Sequence, residues 1–449
     1  MKSPSILLTA ALAVAFSAAV PAAVPVGDDF REVIATAKRQ VEPAVLYVLC
    51  IQENAESGRM RSQKVSGSAF LINAEGEFVT NHHVIDKAKS IRCLLPDGRS
   101  FEADCLGSDK VMDVALCKLR LPEGESVPYA AFGKSSDMSE GDFVLALGAP
   151  WGLNRTLTFG TISCRNRYIE EHSEYALWLQ TDAAIGPGNS GGPLVNTKGE
   201  VIGINALGMM TGAAAFGFAI PSEEAQILLG QLREHGKVSW SWSGLLLQPL
   251  RDFENDMVFD ATNGVVVAGT DPDSPAAKAG LRTGDRILSI NGTDVTAQTS
   301  EDLPGVRRFF GLLPEGEPIR LSVMRGESPE EVVIDPRAKG AVEGQEREFL
   351  RWDFSAKEIN QFDTPELYLR RKTGVYVLGV KRGGNAWRAL NDEDIILSVD
   401  GKPVESLEDL TALHEAALAN VAEKHKSLFC VLRSGRRTYA VVDFLKENE

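Results

Sequence analysis

Two stretches of this chain are near copies of each other. Asp285-Arg-Ile-Leu-Ser-Ile-Asn-Gly292 returns as Asp394-Ile-Ile-Leu-Ser-Val-Asp-Gly401, 109 residues later. Each follows an apolar run, Gly264-Val-Val-Val or Gly374-Val-Tyr-Val. Two copies of about 100 residues are too few and too long for a stacked solenoid, so they indicate two related domains. In both, an apolar strand leads to a strand ending in Asn-Gly or Asp-Gly, a turn pair. The second copy continues into Leu407 to Leu418, apolar at helical spacing. The polar stretch Pro336 to Glu348, with its two glycines, reads as a linker. The chain has 449 residues, which leaves room for about one further domain upstream.

That upstream part is a series of short strands. Val45 to Ile51, Ser68 to Ile72, Ile91 to Leu95, Val114 to Leu119, Val144 to Leu147 and Val201 to Ile204 are apolar or alternating, with Gly, Asp or Asn between them. Many short strands with few helices indicate a sandwich or barrel. Ser222 to Glu234 reads as a helix with Ser222 as N-cap and Gly236 as stop. At the start, Lys2 is the only charge in 27 residues, and Ile6 to Val20 is apolar and Ala-rich. This predicts a signal peptide over residues 1–23, cleaved near 19–23, and an exported mature chain. A hydrophobic content of 44% with 24% charged residues excludes disordered, collagen-like and coiled-coil classes. A formal charge of -15 argues against a nucleic-acid partner.

Six cysteines are present. Cys93 and Cys105 flank the turn Pro96-Asp97-Gly98 and could meet across a hairpin, but no pairing is set by the sequence; Cys50 and Cys117 read as buried small hydrophobes. No pattern of metal ligands, dinucleotide-binding glycines or nucleotide-binding loop occurs, so no metal and no cofactor is expected.

The chemical signal is Gly188-Asn-Ser-Gly-Gly-Pro193, a hydroxyl inside a glycine-rich turn. Such a turn can bring the amides of Gly188 and Ser190 onto one oxygen, as an oxyanion hole requires. A nucleophilic serine needs a base, and histidine serves near neutral pH. His82 and His83 end a strand in Phe78-Val-Thr-Asn-His-His-Val-Ile85; His172, His235, His414 and His425 lie elsewhere. Asp113 opens the strand Val114 to Leu119 and is placed to orient the base. Asp86, Asp97, Asp104 and Asp109 read as turn or surface carboxylates.

Together these marks resemble the HtrA/Deg family of trypsin-like serine proteases. The resemblance runs from about residue 30 to 235. It rests on Gly67-Ser-Ala-Phe-Leu-Ile, Val79-Thr-Asn-His-His-Val-Ile85, Met112-Asp-Val-Ala-Leu116, Gly148-Ala-Pro-Trp-Gly152, Gln180-Thr-Asp-Ala-Ala-Ile-Gly-Pro-Gly-Asn-Ser-Gly-Gly-Pro193, Val201-Ile-Gly-Ile-Asn205 and Gly217-Phe-Ala-Ile-Pro221, in that order. It implies a mainly β chain: a trypsin-like double β-barrel over residues 24–236, then PDZ-like α+β domains over 237–338 and 339–449. It assigns the catalytic positions to His83, Asp113 and Ser190, with His82 a partly exposed neighbour. The amides of Gly188, Asn189 and Ser190 are expected to form the oxyanion hole. Ala184 stands where trypsin has a charge-selecting Asp, and Phe216, Gly217 and Phe218 are expected to shape the same pocket, which implies cleavage after small or medium apolar residues.

The family's carboxylate-binding loop falls on Trp242-Ser243-Gly244-Leu245, so C-terminal peptides are the expected partners there. The second copy has Trp352-Asp353-Phe354-Ser355 instead, and Glu393 where the first has Gly284, which puts its peptide binding in doubt. The loop Arg165 to Leu177 is expected to sense the first PDZ domain, with Arg165 and Arg167 as candidates. The family's basic unit is a homotrimer, so a homotrimer or a higher oligomer of trimers is expected, with the short loop near Glu53 to Gln63 putting large cages in doubt. The implied activity is ATP-independent endoproteolysis of unfolded or damaged proteins, in a periplasm. The competing readings are a latent chaperone or scaffold, and a narrow regulatory protease switched on by C-terminal peptides.

Overall fold

The computed structural model describes residues 30–150, 155–211, 214–253 and 261–445. The expected signal peptide, and Trp151 and Gly152 of the fourth motif, lie outside the described residues. Helix α1 (Phe30–Val41) carries Glu32 in its first turn and Lys38 and Arg39 in its last, matching the helix dipole. Its Ala37 and Val41 are buried against the first barrel.

That barrel contains β1 (Val45–Asn54), β2 (Arg61–Leu71), β3 (Glu77–Thr80), β4 (Ala88–Leu94), β5 (Ser100–Asp109) and β6 (Val114–Leu119). It closes in the order β1-β2-β3-β6-β5-β4, with the one-turn helix α2 (His82–Ile85) between β3 and β4. The second barrel contains β7 (Phe143–Gly148), β8 (Thr156–Arg167), β9 (Trp178–Thr181), β10 (Pro193–Asn196), β11 (Val201–Thr211) and β12 (Ala214–Pro221), closed as β10-β11-β12-β9-β8-β7. Closure leaves neither sheet an edge. The predicted mainly β chain with two six-stranded barrels is what forms. Helix α3 (Ser222–His235) packs Leu228, Leu229 and Leu232 into the core shared with the first barrel. Gly236 terminates it at φ 71°, as expected. The N-cap, however, is Pro221. Ser222 is the first helical residue, and its hydroxyl instead bridges to the Gly133–Ser135 segment, donating to Gly133 O at 2.8 Å and accepting from Ser135 N–H at 3.1 Å.

The sequence left the cysteine pairing open. Cys93 lies opposite Phe101, and Cys105 opposite Cys117. The β4–β5 register therefore separates the candidate pair, and all six thiols are free. Cys50 and Cys117 are buried, as read from the sequence.

The first repeat folds as β13 (Ser241–Trp242), β14 (Leu245–Gln248), β15 (Val265–Thr270), α4 (Pro275–Lys278), β16 (Arg286–Ile290), β17 (Thr293–Asp294), α5 (Leu303–Gly311), β18 (Ile319–Arg325), β19 (Ser328–Ile334) and β20 (Arg337–Ala338). The second folds as β21 (Glu346–Phe349), β22 (Phe354–Glu358), α6 (Pro365–Arg370), β23 (Val375–Val380), β24 (Ile395–Val399), β25 (Lys402–Pro403), α7 (Leu407–Ala419), β26 (Lys426–Arg433) and β27 (Arg436–Asp443). Their main sheets run β14-β15-β16-β18-β19 and β21-β22-β23-β24-β26-β27. The repeated aspartate has one job in both. Asp285 is gripped by Arg325 at 2.7 and 2.8 Å, and Asp394 by Arg433 at 2.6 and 2.8 Å. Each two-pronged pair is buried on its acidic side, where charge-assisted bonds are strong.

Pro336 to Glu348 is no free linker. Ser241 and Trp242 pair with Ala338 and Arg337, and Lys339 N–H donates to Trp240 O at 2.7 Å. Glu343 sits among Lys87, Lys110 and Lys357, which hold its carboxyl down at about 2 despite partial burial. The polar composition that reads as solvent-facing is consumed by ion pairs and strand hydrogen bonds.

Candidate active site

The site lies between the barrels, and its parts are set by strand ends. β3 stops at Thr80, paired with Ala115 of β6, so His83 just beyond one strand meets Asp113 just before the other. Asn81 Nδ2 donates to Asp113 O at 3.0 Å, pinning the two ends together. Asp113 is left-handed, with φ 56°. Its carboxylate grips His83 at two points: Oδ1 accepts the backbone N–H at 2.9 Å and Oδ2 accepts from Nδ1 at 2.8 Å. The second bond assigns the proton to Nδ1. Burial works to lower the His83 pKa, but the Asp113 hydrogen bond and charge outweigh it, and the pKa ends above 6.5. Gln52 Nε2 holds α2 in place by donating to the carbonyls of His83 and Val84, both at 3.1 Å.

The Ser190 loop is tied to the first barrel by the serine of the Gly67-Ser-Ala motif, to which the sequence assigned no role. Ser68 is buried. Its amide donates to Ser190 O at 2.8 Å and its hydroxyl to Gly188 O at 2.5 Å, while the hydroxyl accepts from Ala149 N–H at 2.8 Å. Gly191 donates to Asn205 O at 2.8 Å, and Asn205 in turn donates to Leu147 O and Pro193 O. The three amides expected at the oxyanion hole are not alike. Asn189 N–H closes a turn onto Gly186 O at 3.0 Å, whereas among the described residues the amides of Gly188 and Ser190 have no hydrogen-bond acceptor. Ser190 Oγ donates to Ala206 O over a long 3.4 Å.

The expected pocket residues do not share one face. Side chains alternate along a strand. Phe218 is buried, and Phe216 partly buried, in the core between the barrels, while Gly217 faces the opposite way. There Ile185 packs across Gly217, and Ala184 beside it is exposed, its carbonyl accepting from Thr158 Oγ1 at 2.7 Å. Ile185 is thus the apolar side chain that accompanies Ala184 and Gly217, and strict alternation through Phe216-Gly217-Phe218 was the signal that pointed to it.

His82 is partly exposed, as expected, with Nδ1 3.0 Å from Ser108 Oγ. Asp109 is a buried carboxylate, not a surface one: it accepts from Trp240 Nε1 at 2.7 Å and Met112 N–H at 2.7 Å. Among the described residues no cluster of His, Cys, Asp and Glu is arranged to hold a metal ion, and no helix is long and apolar enough to cross a membrane.

Trp242, Ser243, Gly244 and Leu245 line a cavity of 150 Å³ along the edge strand β14. Glu174 and Tyr175 from the loop between β8 and β9 share its lining, as does Phe362 of the second repeat. Arg307 reaches Tyr168 Oη at 2.8 Å, and Arg308 reaches Tyr175 O at 3.1 Å. The contacts from this loop to the first repeat thus run chiefly through Tyr168 and Tyr175. Arg165 points away, to Ser136 O and Met138 O, and Arg167 makes only a distant 4.0 Å pair with Glu301.

Residues 67–204 match the family model for a trypsin-like peptidase domain, and residues 266–325 that for a PDZ domain. Paired barrels with this cleft, followed by a PDZ domain, define a trypsin-like serine endopeptidase. A curated relative from Ectopseudomonas mendocina (strain ymp), named "Probable periplasmic serine endoprotease DegP-like", is 36% identical over 398 residues, covering 85% of this chain and 80% of its own length. One of the same name from Halomonas elongata is 33% identical, covering 86% and 80%. The chain belongs to the HtrA/Deg family of serine proteases. Among solved structures, "HtrA-type protease AlgW with tripeptide" aligns with TM-score 0.60 at 32% identity, covering 68% of this chain and 96% of that one. The serine endoprotease from Yersinia pestis aligns with TM-score 0.52 at 30% identity, covering 70% and 99%.

Proposed function

We propose that this chain is an ATP-independent endopeptidase of exported protein quality control, cutting unfolded or damaged proteins through a Ser-His-Asp acyl-enzyme mechanism. The observation that carries it is the two-point grip of Asp113 on His83, beside a Ser190 loop whose Gly188 and Ser190 amides are free. Ser190 attacks the peptide carbonyl, and His83 Nε2 takes the serine proton and returns it to the leaving amine. Asp113 orients His83 and stabilises its charged form. The two free amides hold the developing oxyanion. The working division is a protease domain over 24–236, a first PDZ domain over 237–338 and a PDZ-like domain over 339–449, after a signal peptide over 1–23. Periplasmic naming of the relatives supports export to that compartment.

The long bond from Ser190 Oγ to Ala206 O favours a resting form that is switched on. A C-terminal peptide adding to β14 displaces Glu174 and Tyr175 from the groove, and the sensor loop carries that displacement to the second barrel. A homotrimer is supported by an exposed aromatic cluster. Phe30, Phe143 and Phe159 lie with ring centroids 4.8 to 5.3 Å apart, and each is about two-fifths exposed. Apolar patches of this kind mark interaction surfaces.

The test is degradation of unfolded casein, without ATP, by residues 24–449 beside Ser190→Ala. Cleavage by the first and none by the second is expected. No cleavage by either, even with C-terminal peptides and heat, moves the assignment to a latent chaperone or narrow regulator. A matched peptide series checks the pocket. With Ala184 and Ile185 in place of a buried carboxylate, kcat/KM is expected to be highest after Ala, Val or Leu, and a preference for Lys or Arg contradicts the assignment.

A further inference from the structure

The two repeats carry opposite chemistry at one backbone position. Leu245 pairs with Thr270, and Phe354 with Val380, with a bulge one step later in each sheet. This register equates Gly244 with Asp353, not Trp242 with Trp352. Both residues are left-handed, at φ 73° and 59°. The side chain has also changed sides. A Cβ on Gly244 would lie 2.3 Å from Ser274 Cβ, and one on Gly384 would lie 2.5 Å from Asp353 Cβ. Where the first domain offers a bare backbone suited to an anion, the second offers a carboxylate that is 1% exposed.

That carboxylate has a cationic partner from the protease domain. Arg59, in the turn between β1 and β2, places Nη2 2.6 Å from Asp353 Oδ1, and Lys381 stands 3.8 Å away. The rest of the turn follows the arginine in. Ser355 Oγ donates to Ala55 O, Met60 N–H donates to Glu348 Oε2 at 2.6 Å, and the Glu56 carbonyl lies where a side chain on Gly379 would project. Lys87 adds an ion pair to Glu346 at 2.9 Å.

The strand edge differs as well. A PDZ ligand adds as a new strand beside the carboxylate-binding loop. In the first domain that edge is β14, which among the described residues pairs only with β15. In the second, β22 is already covered by β21, with Glu346 to Phe349 paired against Lys357 to Phe354.

We propose that the second PDZ-like domain is a receptor for the arginine-bearing turn Ala55–Met60 of its own chain, and takes no C-terminal carboxylate. Its edge is closed by its own strand, and its loop has exchanged an anion site for a cation site.

Two measurements on the full chain test this, both in the Ser190→Ala background so that failure here leaves the peptidase assignment standing. In the first, a decapeptide ending in a free apolar carboxylate is titrated beside its amidated twin. Leu246→Asp, on the exposed edge of β14, is expected to abolish all carboxylate-dependent binding. Binding that survives Leu246→Asp places a site in the second domain and overturns the proposal. In the second, amide exchange is compared between Arg59→Glu and its parent. Exchange over 55–60 and 346–349 is expected to rise about tenfold, as release of a locally stabilised unit would produce. Unchanged exchange in those segments overturns the clasp.

Discussion

Asp113→Asn is expected to lower kcat by about 10⁴-fold while leaving the fold intact, the size of effect that loss of the orienting carboxylate has in a serine-protease triad. The geometry explains why this one substitution is so costly. Asp113 accepts from both the backbone N–H and the Nδ1 of His83. An amide can accept with its oxygen only, so its nitrogen must face either the His83 backbone N–H or Nδ1–H. Either the ring turns or Nδ1 gives up its proton, and in the second case Nε2 is no longer a free base. The pH profile separates this from simple misfolding. With Asp113 present the His83 pKa is raised above 6.5, so His83 stays protonated and inactive up to a pH above that value. The acid limb of kcat/KM is therefore expected above pH 6.5. In Asp113→Asn both raising influences go and burial still lowers the pKa, so the limb moves below 6.5. A residual activity with its acid limb unmoved would contradict the assignment.

Gly191→Ala is the second large effect. Gly191 has φ 84°, a region that costs a residue with a side chain roughly 1–3 kcal/mol. The new Cβ would also lie 2.1 Å from Ser68 O and 2.3 Å from Thr80 Oγ1, both buried and both hydrogen-bonded. Neither neighbour can retreat without loosening the first barrel, so the Ser190 loop must shift. A displacement of about 1 Å at a reacting group costs on the order of 100-fold. The expected result is a fall in kcat/KM of at least about 100-fold with a lower melting temperature. Full activity at an unchanged melting temperature would show that the loop is not held as described.

Much of this fold was legible because barrel strands announce themselves locally. Val114 to Leu119 was read with the bounds it has in the structure, since an aspartate marks one end and a nearly continuous apolar run the rest. The octapeptide repeat disclosed two related domains, yet only Asp285 and Asp394 are visible within it. Their arginine partners lie 40 and 39 residues away and are set by the sheet. The same limit hid Ser68 and Gln52. Each acts through backbone carbonyls or amides far along the chain, and a serine or glutamine in a strand looks like any other. Phe216 and Phe218 were misplaced for a different reason: grouping them with Gly217 ignored the two-residue period of the strand. Asp109 was misread because burying a carboxylate depends on Trp240, 131 residues away, supplying an N–H. The one-residue slip that equated Trp242 with Trp352 came from matching a conspicuous side chain, whereas the structure matches a backbone conformation.

The segment that returns after β19 has a consequence for the enzyme's own survival. A peptidase of this kind takes extended chain into its cleft, and the polar, glycine-bearing stretch from Pro336 to Glu348 is by composition the most inviting self-cleavage site between its domains. Proteolysis proceeds from the open form, at a rate set by how often the segment opens. Here Arg337 stacks over the Trp242 ring at 4.2 Å while β20 pairs with β13, and Lys339 is bonded to Glu174 and Tyr175. Opening the segment means breaking strand pairs, a cation–π contact and several ion pairs at once. Resistance to autolysis is thus a by-product of the same stitching that holds the two repeats in place.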